Sequence, residues 1–177
     1  MIRQDGLSIT RPEVVHQDKS NYSPASSSVS HPTQRPPMSL LRNIDHINLT
    51  VTDFRESAHW YEQAFGFVVV EEAVTDGVLW GILRAGDSML CLYEAPDFTL
   101  LDRHQLAERK LHGLAHFGLR ISDPEKWQRI AREMGIEILY GGTYRWPHSD
   151  SWYIKDPTGY EIEIVHWDKE QVSFDPL

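Results

Sequence analysis

The sequence predicts an α+β fold: two paired β-α-β-β-β modules whose mixed sheets curve around a shared cleft. Two observations carry that expectation. The first is an internal repeat, in which the alternating apolar/polar segment from Ile44 to Val51 returns about seventy residues later, from Leu114 to Ile121. The second is the succession of elements after each copy: an Asp-capped helix that stops at a glycine, Gly66 or Gly135, and then three more strand-like runs.

The patterned region does not begin at residue 1. From Ser20 to Pro37, ten of eighteen residues are Ser or Pro. No apolar period is available there to offset the entropy of ordering, so residues 1–37 read as a disordered tail. Met38 comes directly after it and is a candidate initiator. Residues 38–94 form the first module: a strand over 44–51, a helix over 54–65 capped by Asp53, and strands over 67–73, 78–85 and 88–93. Residues 95–112 read as a charged linker, helical around 98–111. The second module, 113–177, repeats the order with a strand over 114–121, Asp123 and Pro124 opening a helix over 125–134, and strands over 136–140, 151–154 and 160–165. The segment 141–148, with Gly141 and Gly142, reads as a mobile rim loop. One helix covers one face of each sheet and leaves the other for the cleft.

Composition narrows the function. The chain has 177 residues, 41% hydrophobic, with 17 Lys+Arg against 26 Asp+Glu and a net charge of −9. That balance argues against a nucleic-acid partner, which calls for a basic face. No apolar run is long enough to span a membrane. A single cysteine, Cys91, cannot make an internal disulfide and points to a reducing, cytoplasmic setting. The expected partner is a small molecule.

Strand parity supplies the candidate site. Ile47, Leu49 and Val51 share the helix-covered face of the first strand, which turns His46, Asn48 and Thr50 toward the cleft. In the matching strand Phe117, Leu119 and Ile121 pack, while His116, Gly118 and Arg120 face the cleft. In the last strand Ile162 and Ile164 pack, while Glu161, Glu163 and Val165 face it. Two imidazoles and a carboxylate on rigid strands suit Fe(II), and equally Mn(II), Zn(II) or Ni(II), with positions left open for substrate. His46, His116 and Glu163 are therefore the expected metal ligands, and the cleft is expected to be a metal cleft.

The turn Asp156-Pro157-Thr158-Gly159 launches Tyr160-Glu161-Ile162-Glu163. With the paired modules and the two first-strand histidines, this ending resembles the vicinal oxygen chelate superfamily, over residues 42–167. That superfamily includes glyoxalase I, type I extradiol dioxygenases, fosfomycin-resistance enzymes and bleomycin-resistance proteins. The resemblance implies His46, His116 and Glu163 as ligands. Glyoxalase-like members take a fourth ligand from the last strand of the first module, where this chain has Cys91, either a thiolate ligand or a small buried hydrophobe; Glu94 falls on the opposite face. Tyr153, ten residues before Glu163, matches tyrosines that bind or polarise substrate oxygen, or else it fills the cleft wall. His148 is a candidate acid/base or a loop histidine. Asn48, Arg120, Arg145 and Ser151 are candidate substrate contacts, with Arg120 also able to pair with Glu161 across neighbouring strands.

The implied activity is that of a divalent-metal enzyme on a small oxygen-chelating substrate, with Fe(II) extradiol-type ring cleavage first. A thiol transferase similar to the fosfomycin enzymes and a glyoxalase-like lyase or isomerase come after it. A metal-free drug-binding module is the alternative of a different class. The chain is expected to pair as a homodimer; either one chain supplies all three ligands, which parity makes converge from three strands, or chain exchange brings His46 to His116 and Glu163 of a second copy.

Overall fold

The computed structural model describes residues 40–174; the expected tail, 1–37, and Met38 lie outside the described residues. The order is β1 (His46–Val51), α1 (Phe54–Phe65), β2 (Val68–Thr75), β3 (Val78–Ala85), β4 (Ser88–Glu94), α2 (Arg103–Glu108), β5 (Phe117–Arg120), α3 (Pro124–Glu133), β6 (Tyr144–Trp146), β7 (Ser149–Lys155) and β8 (Glu161–Trp167). They build two four-stranded mixed sheets, β1-β4-β3-β2 and β5-β8-β7-β6. In each, the first strand runs parallel to the last and the other neighbours are antiparallel. This is the paired β-α-β-β-β architecture.

Local chemistry sets the helices. The Asp53 carboxylate accepts from the Glu56 N–H at 2.8 Å to open α1, and Gly66 closes it at φ 74°, where a side chain would be strained. Asp123 and Pro124 open α3 in the same way. Gly81 on β3 is required by close approach: a Cβ there would meet the Phe54 ring at 2.6 Å and the Glu71 carbonyl at 2.7 Å.

One strand differs from expectation. Residues 136–140 do not form a strand, and the edge strand β6 falls inside the segment read as a rim loop. Positive φ at Gly135, Tyr140, Gly141 and Gly142 turns the chain at both ends of that stretch. The Ile136 N–H is spent on closing α3 against the Ala131 carbonyl, while Leu139 N–H still donates to Tyr153. The expected linker helix is shorter than read, confined to the six residues of α2.

The two halves share one core. Leu49, Val51, Phe54, Tyr61, Leu83, Leu90 and Leu92 cluster with Phe117, Trp127, Trp152, Ile154, Ile162 and Ile164. Helix α1 packs on α3, and Tyr61 Oη donates to Asp156 Oδ2 at 2.9 Å, tying the first helix to the β7–β8 turn. Asp156 also accepts the Gly159 and Tyr160 N–H groups at 2.8 Å each, which forms the turn expected from Asp156 to Gly159.

Candidate functional site

In the second sheet Gly118 lies opposite Glu163 and Phe117 opposite Ile162, so His116, one residue before β5, stands beside Glu161. His116 Nε2 lies 3.2 Å from Glu163 Oε2. Its other ring nitrogen, Nδ1, is buried with no hydrogen-bond partner, 3.9 Å from Glu161 Oε1. Glu161 is only 8% exposed and is held from two directions: Tyr140 Oη donates to Oε2 at 2.6 Å, and Arg103 Nη1 to Oε1 at 3.1 Å. The Arg103 guanidinium also lies over the Tyr140 ring.

Tyr153 sits opposite Glu163 across the β7–β8 ladder, its ring edge-on to His116 at 5.6 Å and against Tyr140 and Tyr144. Burial and the nearby Glu163 carboxylate push its phenol up to about 12. Burial and the Glu161 bond do the same to Tyr140. Both therefore stay protonated near neutral pH and act as donors.

His46 is on the other sheet. Its side chain is 46% exposed and its Nδ1 lies 2.9 Å from Asp45 Oδ2. The opposite end of β1 is the part that touches the second module, through Thr50 Oγ1 with Tyr160 Oη and the Thr52 N–H with Thr158 Oγ1. At about 3.3 Å per strand residue, His46 lies about 13 Å back along β1 from Thr50. Among the described residues no three His, Cys, Asp or Glu side chains come close enough to hold a metal ion. The structure thus brings His116 and Glu163 together, and leaves His46 apart from them. The two that meet fit a divalent ion by donor type, an imidazole nitrogen facing a carboxylate oxygen with the second ring nitrogen turned to an acidic neighbour.

The remaining candidates fall into distinct places. Cys91 stands opposite Asn48, as Glu163 stands opposite Gly118, so the ladder gives it the place equivalent to the Glu163 position. Burial pushes its thiol up, which favours the protonated form. Glu94 faces the other way and accepts from the Phe54 N–H at the start of α1. Asn48 is exposed on the uncovered face of β1. Ser151 is 1% exposed, its Oγ unpaired. His148 lines the same cavity as Ser151 and Glu163.

The two arginines are committed elsewhere. Arg120 donates to the Lys169 and Glu170 carbonyls at 3.1 and 2.7 Å, so it does not pair with Glu161, which lies beside His116 four residues earlier in the chain. Arg145 makes a two-pronged bond to Asp168 at 2.8 and 2.6 Å. Sequence reading missed Arg103 and Tyr140 as partners of Glu161. Arg103 arrives from the linker, whose return path leaves no periodic trace.

The model of the Glyoxalase/Bleomycin resistance protein/Dioxygenase superfamily matches residues 43–164. The chain belongs to this superfamily. It contains many enzymes, and its members commonly use divalent metals and act on small molecules. Similar solved structures include a glyoxylase/bleomycin resistance protein/dioxygenase domain from Frankia sp. EAN1pec, with 16% identity, TM-score 0.61, and 74% of this chain and 96% of that one covered. A glyoxalase family protein from Enterococcus faecalis has 18% identity and TM-score 0.61, covering 72% and 99%. A genomically encoded fosfomycin resistance protein from Listeria monocytogenes has 14% identity and TM-score 0.56, covering 72% and 94%. At these identities the superfamily likeness is one of fold. No curated protein matches the chain.

Proposed function

We propose that this superfamily member is a divalent-metal enzyme acting on a small substrate through two neighbouring oxygens, with His116 and Glu163 as ligands and His46 of a second copy completing the set. The observation that carries this is the 3.2 Å approach of His116 Nε2 to Glu163 Oε2 on the face of β8 turned away from the buried Ile162 and Ile164. His46 and Asn48 occupy the equivalent open face of the first sheet, which favours a homodimer in which each site draws on both chains.

Within that class, Fe(II)-dependent ring cleavage of a catechol-type substrate stands first. When bound, the ion supplies positive charge that favours deprotonated substrate oxygens. Tyr153, protonated and beside both ligands, donates to a substrate oxygen. His148, lining the same cavity as Glu163, is suited to hold or release a proton at its ring.

Elemental mass spectrometry on untagged, anaerobically purified protein tests the reading. About one iron per chain is expected, lost in His46→Ala and in Glu163→Gln. Oxygen uptake with catechols is the companion assay. Manganese, zinc or nickel instead of iron would redirect the reaction to thiol transfer or isomerisation. Unchanged metal content in Glu163→Gln would overturn the ligand assignment, and no metal under any loading condition would leave a ligand-sequestering module.

A further inference from the structure

The two halves meet tightly on one side and leave a gap on the other. On the tight side, the end of β1 and helix α1 reach the β7–β8 turn. Thr50 Oγ1 lies 3.3 Å from Tyr160 Oη, the Thr52 N–H donates to Thr158 Oγ1 at 3.1 Å, and Tyr61 Oη donates to Asp156 Oδ2. Ladder register sets Asn48 beside Cys91 as it sets Gly118 beside Glu163. It therefore puts Arg120 in the place of Thr50, Ser122 in that of Thr52, Ser88 in that of Tyr160 and Ala85 in that of Asp156. Instead of closing on one another, these four line a cavity of ≈ 670 Å³, between α3 with the end of β5 and the end of α1 with the β3–β4 turn.

The lining is of two kinds. Phe65, Phe67, Leu119, Trp127 and Ile130 supply apolar surface, and Phe67 and Trp127, each 3% exposed, make the floor part of the core. Two cations stand at the rim. Lys126, in the first turn of α3, has no ion-pair partner among the described residues, and Arg120 donates through Nη2 to the Lys169 and Glu170 carbonyls. The carboxylate in the lining, Asp123, accepts from the Lys126 N–H at 2.9 Å to cap α3. The volume falls inside the range of small-molecule sites, about 300–1,000 Å³. An apolar floor below unpaired positive charge, in a chain of net charge −9, is complementary to a molecule with an apolar body and one negative charge.

We propose that this cavity binds a small amphipathic organic anion. Its apolar body lies on Phe67, Leu119 and Trp127, and its carboxylate, sulfonate or phosphonate head meets Lys126. The cavity shares no side chain with the His116–Glu163 pair, so it is a second site that needs no metal and is independent of the function proposed above.

Fluorescence titration of the full-length protein tests this with 8-anilinonaphthalene-1-sulfonate and its uncharged counterpart, N-phenyl-1-naphthylamine. One saturable site for both is expected. Lys126→Glu suits the first turn of a helix and leaves the fold intact. It weakens the sulfonate about tenfold and leaves the amine unchanged. Ser88→Tyr, at an exposed position, puts into the cavity the side chain that Tyr160 supplies on the tight side, and binding of both probes is lost. No saturable binding to the wild type, or binding unchanged in Ser88→Tyr, overturns the site. A Lys126→Glu variant that treats the two probes alike overturns its preference for anions. Binding that weakens as protein concentration rises places a second copy in the cavity and overturns the small-molecule reading.

Discussion

Tyr61 and Asp156 are both almost fully buried, and the phenol donates a hydrogen bond to the carboxylate at 2.9 Å. Removing the hydroxyl leaves a buried carboxylate short of a donor, so Tyr61→Phe is expected to cost about 1–3 kcal/mol in urea unfolding. Burial raises the Asp156 carboxyl above its ordinary value in spite of its donors. The folded chain therefore holds that proton more readily than the unfolded chain. The associated stability is fully present below the ordinary carboxylate pKa and is lost as pH rises through the raised folded value. Asp156→Asn should flatten that slope in urea midpoints taken from the ordinary carboxylate pKa upward. Asp156 was legible in the sequence as a turn residue. Its bond to Tyr61 was not, because the two are far apart in the chain and only packing of α1 on the second module brings them together.

At the scale of elements, Gly81→Ala should destabilise β3 by about 1–3 kcal/mol in thermal or chemical melts, since the added carbon meets a buried ring and a backbone oxygen. Helix α2 has no buried residue of its own, yet it delivers Arg103 to Glu161, whose carboxylate faces the free nitrogen of His116. Glu161→Gln is expected to weaken metal uptake about ten- to a hundredfold, read by competition with a chelator, with the fold intact by circular dichroism. Period-2 alternation with Asp and Gly punctuation made β1, α1, β3, α3 and β8 readable to within a residue or two. It failed at β6, because a three-residue edge strand is too short to show a period, while the apolar run at 136–140 imitates one. The open-face positions of His116 and Glu163 came from parity alone; their approach to each other needed the parallel β5–β8 register.

For the whole molecule, the pairing of the two halves was visible as a repeat, but the way they pack was not. Periodicity says which face of a strand is apolar and does not say whether two open faces meet within one chain or between chains. Complementation separates these cases. If each site draws His46 from one chain and Glu163 from the other, a mixture of His46→Ala and Glu163→Gln chains regains intact sites, up to about a quarter of the total on random pairing. If each chain builds its own site, the mixture regains none. Metal content of refolded mixtures reads the difference. The bond from Tyr61 to Asp156 also bears on how far the repeat has diverged. Its mirror image does not exist: the residue of α3 in the place of Tyr61 is Ala131, and the β3–β4 position in the place of Asp156 is Ala85. A chain made by duplicating the first half would bury a phenol with a methyl group in place of its acceptor, and one made by duplicating the second would bury a carboxylate against a methyl group. Neither half can any longer stand in for its twin.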